Sequence, residues 1–194
     1  MFPKRICKAI SLTRCKPVLA AVEADQQREL VLKILDKSKS RFVLGYDPTG
    51  PRALVGYLQD QVARLNVCDS TELMRVGTAL SEAVTNAIEH GNLELDSALR
   101  DLDNNAYRKL GEDRAQQPPY GDRRVHITTR ITPSEATYTI CDEGPGFDPS
   151  TLPDPTDPEN LLKPSGRGIL LIRTFMDDVW FNDKGNEIMM VKTW

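Results

Sequence analysis

The sequence predicts an α+β fold, a two-layer sandwich in which helices cover one face of a mixed, mostly antiparallel sheet. The helical signal lies in the N-terminal half of residues 41–194, where long segments carry an apolar stripe at helical spacing. The strand signal lies toward the C-terminus, where strand-like segments follow one another in pairs. Helices and antiparallel strands that are segregated along a chain typically pack as two layers around one core.

Residues 1–40 are expected to form a helical extension or linker ahead of one domain at 41–194. Apolar residues recur at helical spacing between Val18 and Leu35, amid many charges, which indicates one amphipathic helix. Such a helix could pack on the domain, pair with another copy or belong to a linker. The chain has no run approaching the about 20 apolar residues that a membrane helix needs, so we expect a protein that does not enter membranes.

Composition and charge narrow the class of protein. The chain of 194 residues is 40% apolar and 27% charged, with a net charge of −3, as in soluble globular proteins. This mild acidity argues against nucleic-acid binding, which is typically marked by a basic patch. The cysteines at positions 7, 15, 68 and 141 lack metal-ligand spacing and are expected to be reduced thiols of a cytoplasmic protein.

The first elements of the domain follow from apolar periodicity and from turn residues. Residues 41–47 are expected to form a short strand, and residues 52–65 carry the apolar stripe of a helix. A second helix begins after Asp69, where Glu72 three residues later resembles a capping box. We expect this helix to continue to Gly91, a residue typical of helix ends.

The second half of the domain is predicted to be mostly strands. The polar stretch after Asn92 begins with a possible helix and ends in a loop at 115–124, because Pro118 and Pro119 disfavour regular structure there. Segments 124–131 and 135–142 alternate like the strands of a hairpin. A loop rich in proline and glycine follows at 143–168, then a buried helix at 169–177 and a last hairpin of 178–183 with 187–194.

Polar side chains on the second helix form the first candidate site. Glu82 and Asn86 lie one turn apart on the same side of the helix, with Glu89 and His90 nearby, among small apolar residues. Asn86 offers an oxygen ligand to Mg²⁺, and Glu82 can accept a proton from a nucleophile. The alternative, which this helix alone favours, is a solvated polar face.

The second candidate is the D-x-G-x-G pattern at the end of a predicted strand. Its residues are Asp142, Gly144 and Gly146. The glycines would let the backbone approach a planar ligand closely. Asp142, if buried, needs a donor such as an exocyclic amine beside a ring nitrogen. The alternative is an ordinary turn.

The third candidate is the sequence S-G-R-G-I, which opens an apolar helix at Gly166, Arg167, Gly168 and Ile169. Unpaired N–H groups and the helix dipole make such an opening suitable for phosphate, and Arg167 could reach a terminal phosphate. The alternative is a helix entry that happens to contain glycine. The chain lacks the G-x-x-x-x-G-K-[ST] pattern, which excludes the P-loop family.

Together, in this order, the three motifs resemble the GHKL superfamily of ATP-binding domains, whose fold is the Bergerat type of α/β sandwich. The segments LSEAVTNAIEHG and SGRGILLIRTFMDDV are most similar to the anti-sigma-factor serine/threonine kinases of bacteria. The resemblance covers about residues 42–192. It implies ATP and Mg²⁺ as cofactors, with a lid over the nucleotide at about 147–165.

The resemblance also implies a role for each motif. Glu82 would be the general base, Asn86 the Mg²⁺ ligand and Asp142 the residue that binds the adenine amino group. The remaining positions would contact the purine or line the phosphates: Gly144, Gly146, Gly166, Arg167, Gly168 and Ile169.

The function that the resemblance implies is phosphorylation of a regulatory protein on serine or threonine. The expected partner is an anti-anti-sigma protein of the STAS type, with a sigma factor or response regulator as further candidates, and a homodimer is a possible assembly. Two alternatives are an ATP-binding or slowly hydrolysing switch, and a histidine-kinase catalytic module acting in trans, since residues 1–40 contain no histidine. Segment 93–124 is longer than the minimal kinases need.

Overall fold

The computed structural model describes residues 27, 30–32, 34–152 and 167–194. The chain divides into two units, Met1–Leu35 and Asp36–Trp194, and the second contains every element described below. Most of the predicted N-terminal helix, most of the predicted lid, and Gly166 lie outside the described residues.

Five strands form one sheet in the order β1-β2-β3-β5-β4. All four pairings are antiparallel, and Ile140 in the central strand lies opposite both Ile127 and Ile188. The α+β prediction is therefore confirmed, but the described sheet is antiparallel throughout rather than mixed. β1, β3 and β4 run in one direction and β2 and β5 in the other, so strands of the same direction are never neighbours. The bounds are β1 Ser38–Leu44, β2 Val125–Ile131, β3 Glu135–Asp142, β4 Asp178–Phe181 and β5 Glu187–Thr193.

Among the described residues, four α-helices lie between β1 and β2 along the chain, and one connects β3 to β4. A π-helix, Ala87–Asn92, continues directly from the second α-helix, and short 3₁₀ turns occupy Tyr120–Asp122 and Pro149–Thr151. The α-helices are α1 Gly50–Leu65, α2 Ser70–Asn86, α3 Ser97–Leu102, α4 Asn104–Ala115 and α5 Arg167–Phe175.

The predicted cap of α2 is confirmed. Asp69 has extended backbone, and its Oδ1 accepts a hydrogen bond from the Glu72 N–H at 2.8 Å. This bond satisfies one of the donors that a helix N-terminus leaves unpaired. It fixes where α2 starts and so where the polar side chains further along the helix lie.

The main core lies between the helices and one face of the sheet. Along β3, Ala136, Tyr138 and Ile140 are buried, while the residues between them face the other side and are partly exposed. The α2 stripe against this face includes Leu80 and Ala83. Because many of these helix residues are small, α2 can pack close to the strands.

A second, smaller cluster lies apart from the main core. Leu93, Leu95 and Tyr107 are buried together, with partly buried residues of α3 and α4 around them. The cluster gives segment 93–124 an apolar centre of its own, where the sequence suggested only a polar stretch with one helix.

The structure differs from the sequence predictions in the bounds, geometry or environment of several elements. β1 begins at Ser38, three residues before the predicted start, because Ser38 already pairs with Ile131 of β2. The helical segment that starts with α2 does continue to about Gly91, as predicted, and ends at Asn92, but its geometry changes from α to π after Asn86. The helix predicted to be buried, α5, is amphipathic, because it buries Ile172 and exposes residues 173–174.

Candidate functional site

A cavity of about 520 Å³ opens where α2, α5 and the end of β3 meet. Gly144 is next to the cavity lining, because its N–H donates to Oδ1 of the lining residue Asp142 at 2.9 Å. The structure thus brings together the described members of all three sequence motifs. The predicted site residues that line the cavity are Glu82, Asn86, Asp142, Gly146, Arg167, Gly168 and Ile169.

The first and third motifs meet at Gly168. A Cβ atom built on Gly168 would lie 2.7 Å from Glu82 Oε2 and 3.4 Å from Asn86 Nδ2. A Cβ at this position would therefore displace the carboxylate end of Glu82 and come into contact with the Asn86 carboxamide. This contact sets the N-terminus of α5, with the partial positive charge of its helix dipole, beside Glu82 and Asn86.

Asp142 is a buried carboxylate, with a relative exposure of 8%. Burial raises its pKa, although the hydrogen bond from the Gly144 N–H opposes this shift. Its backbone is held by Asn186, whose carbonyl accepts from the Asp142 N–H at 2.9 Å and whose side chain donates to the Asp142 carbonyl at 2.7 Å. Oδ1 of this carboxylate accepts from the Gly144 N–H. Oδ2 can therefore accept a hydrogen bond from a ligand in the cavity.

The π-helix docks on the D-x-G-x-G loop. A Cβ on Gly91 would lie 2.3 Å from Asp142 Cγ, and a Cβ on Gly144 would lie 2.2 Å from the Gly91 carbonyl oxygen. The buried side chain of Asn92 accepts a hydrogen bond from the Glu143 N–H at 2.9 Å. Gly91, predicted as a helix stop, is therefore a close-contact residue of the site, and π-helical turns are frequent at such places.

The turn between β4 and β5 supports the loop from the other side. Gly146 has a φ of 78°, and a Cβ there would lie 2.0 Å from the Lys184 carbonyl oxygen. That oxygen accepts from the Phe147 N–H at 3.1 Å, and Lys184 Nζ donates to the Gly144 carbonyl at 3.0 Å. Phe147 and Phe181 pack edge to face at 5.4 Å and form an apolar wall of the cavity.

A further wall comes from residues to which the sequence assigned no role. His90, Ser97, Arg100 and Asp101 all line the cavity. His90 is oriented by its Nδ1–H, which donates to the Leu95 carbonyl oxygen at 2.6 Å. The sequence signal that could have found this wall is weak, since α3 and α4 are short and polar and their position depends on the second cluster.

Arg100 is held by a small network at this wall. Its Nη2 forms an ion pair with Glu89 and donates to the Tyr107 hydroxyl at 2.7 Å. The Tyr107 hydroxyl donates in turn to Glu89 Oε2 at 2.8 Å, and the guanidinium carbon lies 4.6 Å from the Tyr107 ring centre. Glu89, left unassigned by its sequence pattern, therefore anchors an arginine of the cavity wall.

The donor set suits a metal ion that arrives with a ligand. Among the described residues, no group of three or more His, Cys, Asp or Glu side chains could hold a metal by itself. Mg²⁺ is usually bound by one or two protein groups together with substrate phosphates and water. The Asn86 carboxamide, in a cavity that also contains the positive end of α5, fits that mode of binding.

Comparison with known proteins places the cavity inside a recognised domain. Residues 46–192 match the family model described as a histidine kinase-like ATPase domain. Proteins named anti-sigma F factor, from two strains of Clostridium perfringens, are similar to this chain, with 32% identity over 128 residues, or 62% of this chain and 72% of each relative. Within the part of the chain that the structure describes, no helix is both long and apolar enough to span a membrane.

Proposed function

Because the chain belongs to the histidine kinase-like ATPase domain family, we propose that it is an ATP- and Mg²⁺-dependent protein serine/threonine kinase that phosphorylates a regulatory protein. Its similarity to anti-sigma F factors favours an anti-anti-sigma protein of the STAS type as the partner. A sigma factor or a response regulator is a further candidate for binding.

The observation that carries the proposal is that one cavity contains both a buried hydrogen-bond acceptor and a helix N-terminus. Asp142, beside Gly91 and Gly144, has a buried carboxylate that can accept a hydrogen bond from the amino group of adenine. Glu82 and Asn86 lie against Gly168 at the N-terminus of α5, where N–H groups and the helix dipole can stabilise phosphates. An adenine nucleotide would satisfy both groups at once.

The phosphoryl transfer follows from these positions. Glu82 accepts the proton of a serine or threonine hydroxyl, whose oxygen forms a bond to the γ-phosphorus while the bond from that phosphorus to the bridging oxygen breaks, and ADP leaves. Asn86 would hold Mg²⁺, which when bound neutralises charge on the phosphates. Arg167 and the first N–H groups of α5 orient the phosphates for in-line attack.

A transfer assay tests this proposal. The full chain is incubated with ATP labelled at the γ-phosphate, Mg²⁺ and candidate STAS-type proteins, and the partner is analysed for phosphoserine and phosphothreonine. We expect label on the partner with the wild type, and a loss of at least about a hundredfold with Glu82→Gln. Glu112→Gln, which removes an exposed carboxylate of α4, is the matched control and should behave like the wild type.

The same assay separates the other functions that the three motifs allow. Release of free phosphate without labelled protein would identify a switch that hydrolyses ATP, with water in place of the hydroxyl. Acid-labile label on a histidine of a second protein would identify a histidine-kinase module acting in trans. Either result would overturn the serine/threonine kinase proposal while retaining the ATP site.

A further inference from the structure

We propose that Arg100 binds the terminal phosphate of the nucleotide and makes the cavity selective for ATP over ADP. This inference rests on the proposed function, because it takes an adenine nucleotide as the ligand. It concerns a residue of segment 93–124, outside the three motifs. The segment would then supply part of the phosphate site.

Arg100 is both anchored and accessible. The Glu89 carboxylate and the Tyr107 hydroxyl hold its Nη2, and the Tyr107 ring lies against the guanidinium. Its side chain nevertheless keeps 42% of its surface exposed, and it lines the cavity together with Glu82. A guanidinium with a fixed position loses little conformational entropy when it binds a second anion.

The guanidinium has donors beyond those used in the network. Both of its hydrogen bonds in the network leave through Nη2, whereas Nη1 and Nε carry further N–H groups. Hydrogen bonds from a charged guanidinium to a phosphate oxygen are short and strong. Arg100 can therefore keep Glu89 and Tyr107 while Nη1 or Nε donates to an oxygen of the terminal phosphate.

The position of Glu82 identifies which phosphate Arg100 would meet. A hydroxyl that gives its proton to Glu82 must touch the γ-phosphorus, so the terminal phosphate lies next to Glu82. Arg100 is within electrostatic reach of the same carboxylate: burial opposes its charge, but the Tyr107 hydrogen bond and the carboxylates of Glu89 and Glu82 raise its pKa. Asp142, which would hold the base, lies instead beside Gly91 and Gly144.

The negative charge of the cavity lining would repel a nucleotide, and a cation such as Arg100 would offset this repulsion. Four carboxylates belong to the lining: Glu82, Asp101, Asp142 and Glu187. A triphosphate brings more negative charge into this setting than a diphosphate does, and its third phosphate depends most on nearby cations. Arg100 and Arg167 are the arginines of the described lining; Arg167 begins α5, whereas Arg100 belongs to α3.

Calorimetric titration of the full chain with ATP and with ADP, each with Mg²⁺, tests the inference. We expect Arg100→Gln to weaken ATP binding by about tenfold to a hundredfold and ADP binding by less than about threefold. Arg100→Lys keeps the positive charge but loses the planar guanidinium, so its ATP affinity should lie between those of the wild type and of Arg100→Gln. The matched control is Arg108→Gln, which removes an exposed arginine of α4 that lies 3.9 Å from Glu112, and it should bind both nucleotides like the wild type.

The outcomes distinguish this inference from the proposed function. A wild type that binds neither nucleotide would refute the nucleotide site as a whole. If the wild type binds both nucleotides and Arg100→Gln weakens ATP and ADP binding equally or not at all, only the role of Arg100 would be overturned.

A second variant serves if Arg100→Gln does not fold, as judged by circular dichroism. Tyr107→Phe keeps the guanidinium but removes a hydroxyl that fixes its position. A severalfold loss for ATP with ADP unchanged would support the inference, and equal changes would overturn it.

Discussion

At the scale of single residues, two buried tyrosines have hydroxyls in opposite surroundings. The Tyr107 hydroxyl donates to Glu89 and accepts from Arg100, and burial raises the pKa of Tyr107 to about 12. The Tyr138 hydroxyl lies in the main core, where the described residues provide no hydrogen-bond partner, and burial raises its pKa as well. A buried polar group without a partner destabilises the folded state, whereas a bonded one does not.

The change from tyrosine to phenylalanine should therefore have opposite signs at these positions. We expect Tyr138→Phe to raise the free energy of unfolding by about 1 kcal/mol, because it removes an unbonded buried hydroxyl. Tyr107→Phe should lower it by about 1–2 kcal/mol, because it breaks two hydrogen bonds. Urea denaturation measures both. A loss of stability in Tyr138→Phe would show that its hydroxyl is bonded after all.

Asp142 makes the stability of the folded chain depend on pH. Its pKa is raised above the ordinary 3.8 because the side chain is buried. The folded state therefore holds this proton more tightly than the unfolded state, and its contribution to stability falls as the pH rises from 3.8 through the raised value. With Asp142→Asn that contribution is absent, so the stability of the variant relative to wild type should increase over the same pH range. An unfolding free-energy difference that is flat with pH would contradict the shift.

Gly91 and Gly56 offer a matched pair of glycine substitutions. Gly91→Ala places a Cβ against Asp142, so the carboxylate must move, and we expect ATP affinity to fall by at least about tenfold. Gly56→Ala has open space within 4 Å and lies inside α1, so it should leave ATP affinity unchanged and stabilise the chain by about 0.5–1 kcal/mol. Calorimetry and thermal denaturation check the two changes. Unaltered binding in Gly91→Ala would show that Asp142 does not hold the base.

At the scale of elements, α2 depends on its N-terminal cap. Asp69→Ala removes the acceptor of the Glu72 N–H, and we expect the free energy of unfolding to fall by about 1 kcal/mol. Asp60→Ala, which removes an exposed carboxylate of α1, is the control and should change stability by less than about 0.5 kcal/mol. Equal stabilities of the two variants in urea would mean that the cap contributes little.

The π-helix shows where sequence patterns stop being sufficient. Periodicity places Glu82 and Asn86 on one side of α2, and the structure agrees because core packing and local spacing favour the same face. Beyond Asn86, the contacts of Gly91 with Asp142 and of Asn92 with the Glu143 N–H accompany a wider turn. Those contacts join distant parts of the chain, so no local pattern could predict them.

At the scale of the whole molecule, a bound nucleotide should stabilise the fold by mass action. ATP with Mg²⁺ at a hundred times its dissociation constant would add about 2.7 kcal/mol to the free energy of unfolding. We expect a clear rise in the melting temperature, and a smaller rise when EDTA removes the metal. Asn86→Ala should lose most of the difference between the two conditions, because this carboxamide is the proposed Mg²⁺ ligand. The same shift with and without EDTA in the wild type would contradict a role for Mg²⁺.

The arrangement of the site could be predicted in part from the order of its motifs. Asp142 and Gly168 are distant in sequence from Glu82, yet each ends or opens an element whose place follows from the two-layer fold. Arg100 could not be predicted in this way. Its position depends on Leu95 and Tyr107 forming a separate cluster, and a polar segment with few apolar residues gives little sign of such packing.

That separate cluster divides the domain into regions of unequal cooperativity. Leu93, Leu95 and Tyr107 are buried apart from the main core, so α3 and α4 can open locally while the sheet stays intact. Amide hydrogens in residues 97–115 should then exchange with solvent faster than those of β3. If Arg100 binds the terminal phosphate, ATP will slow the exchange of these amide hydrogens more than ADP does. Segment 93–124 would thereby report, through its own unfolding equilibrium, which nucleotide the cavity holds.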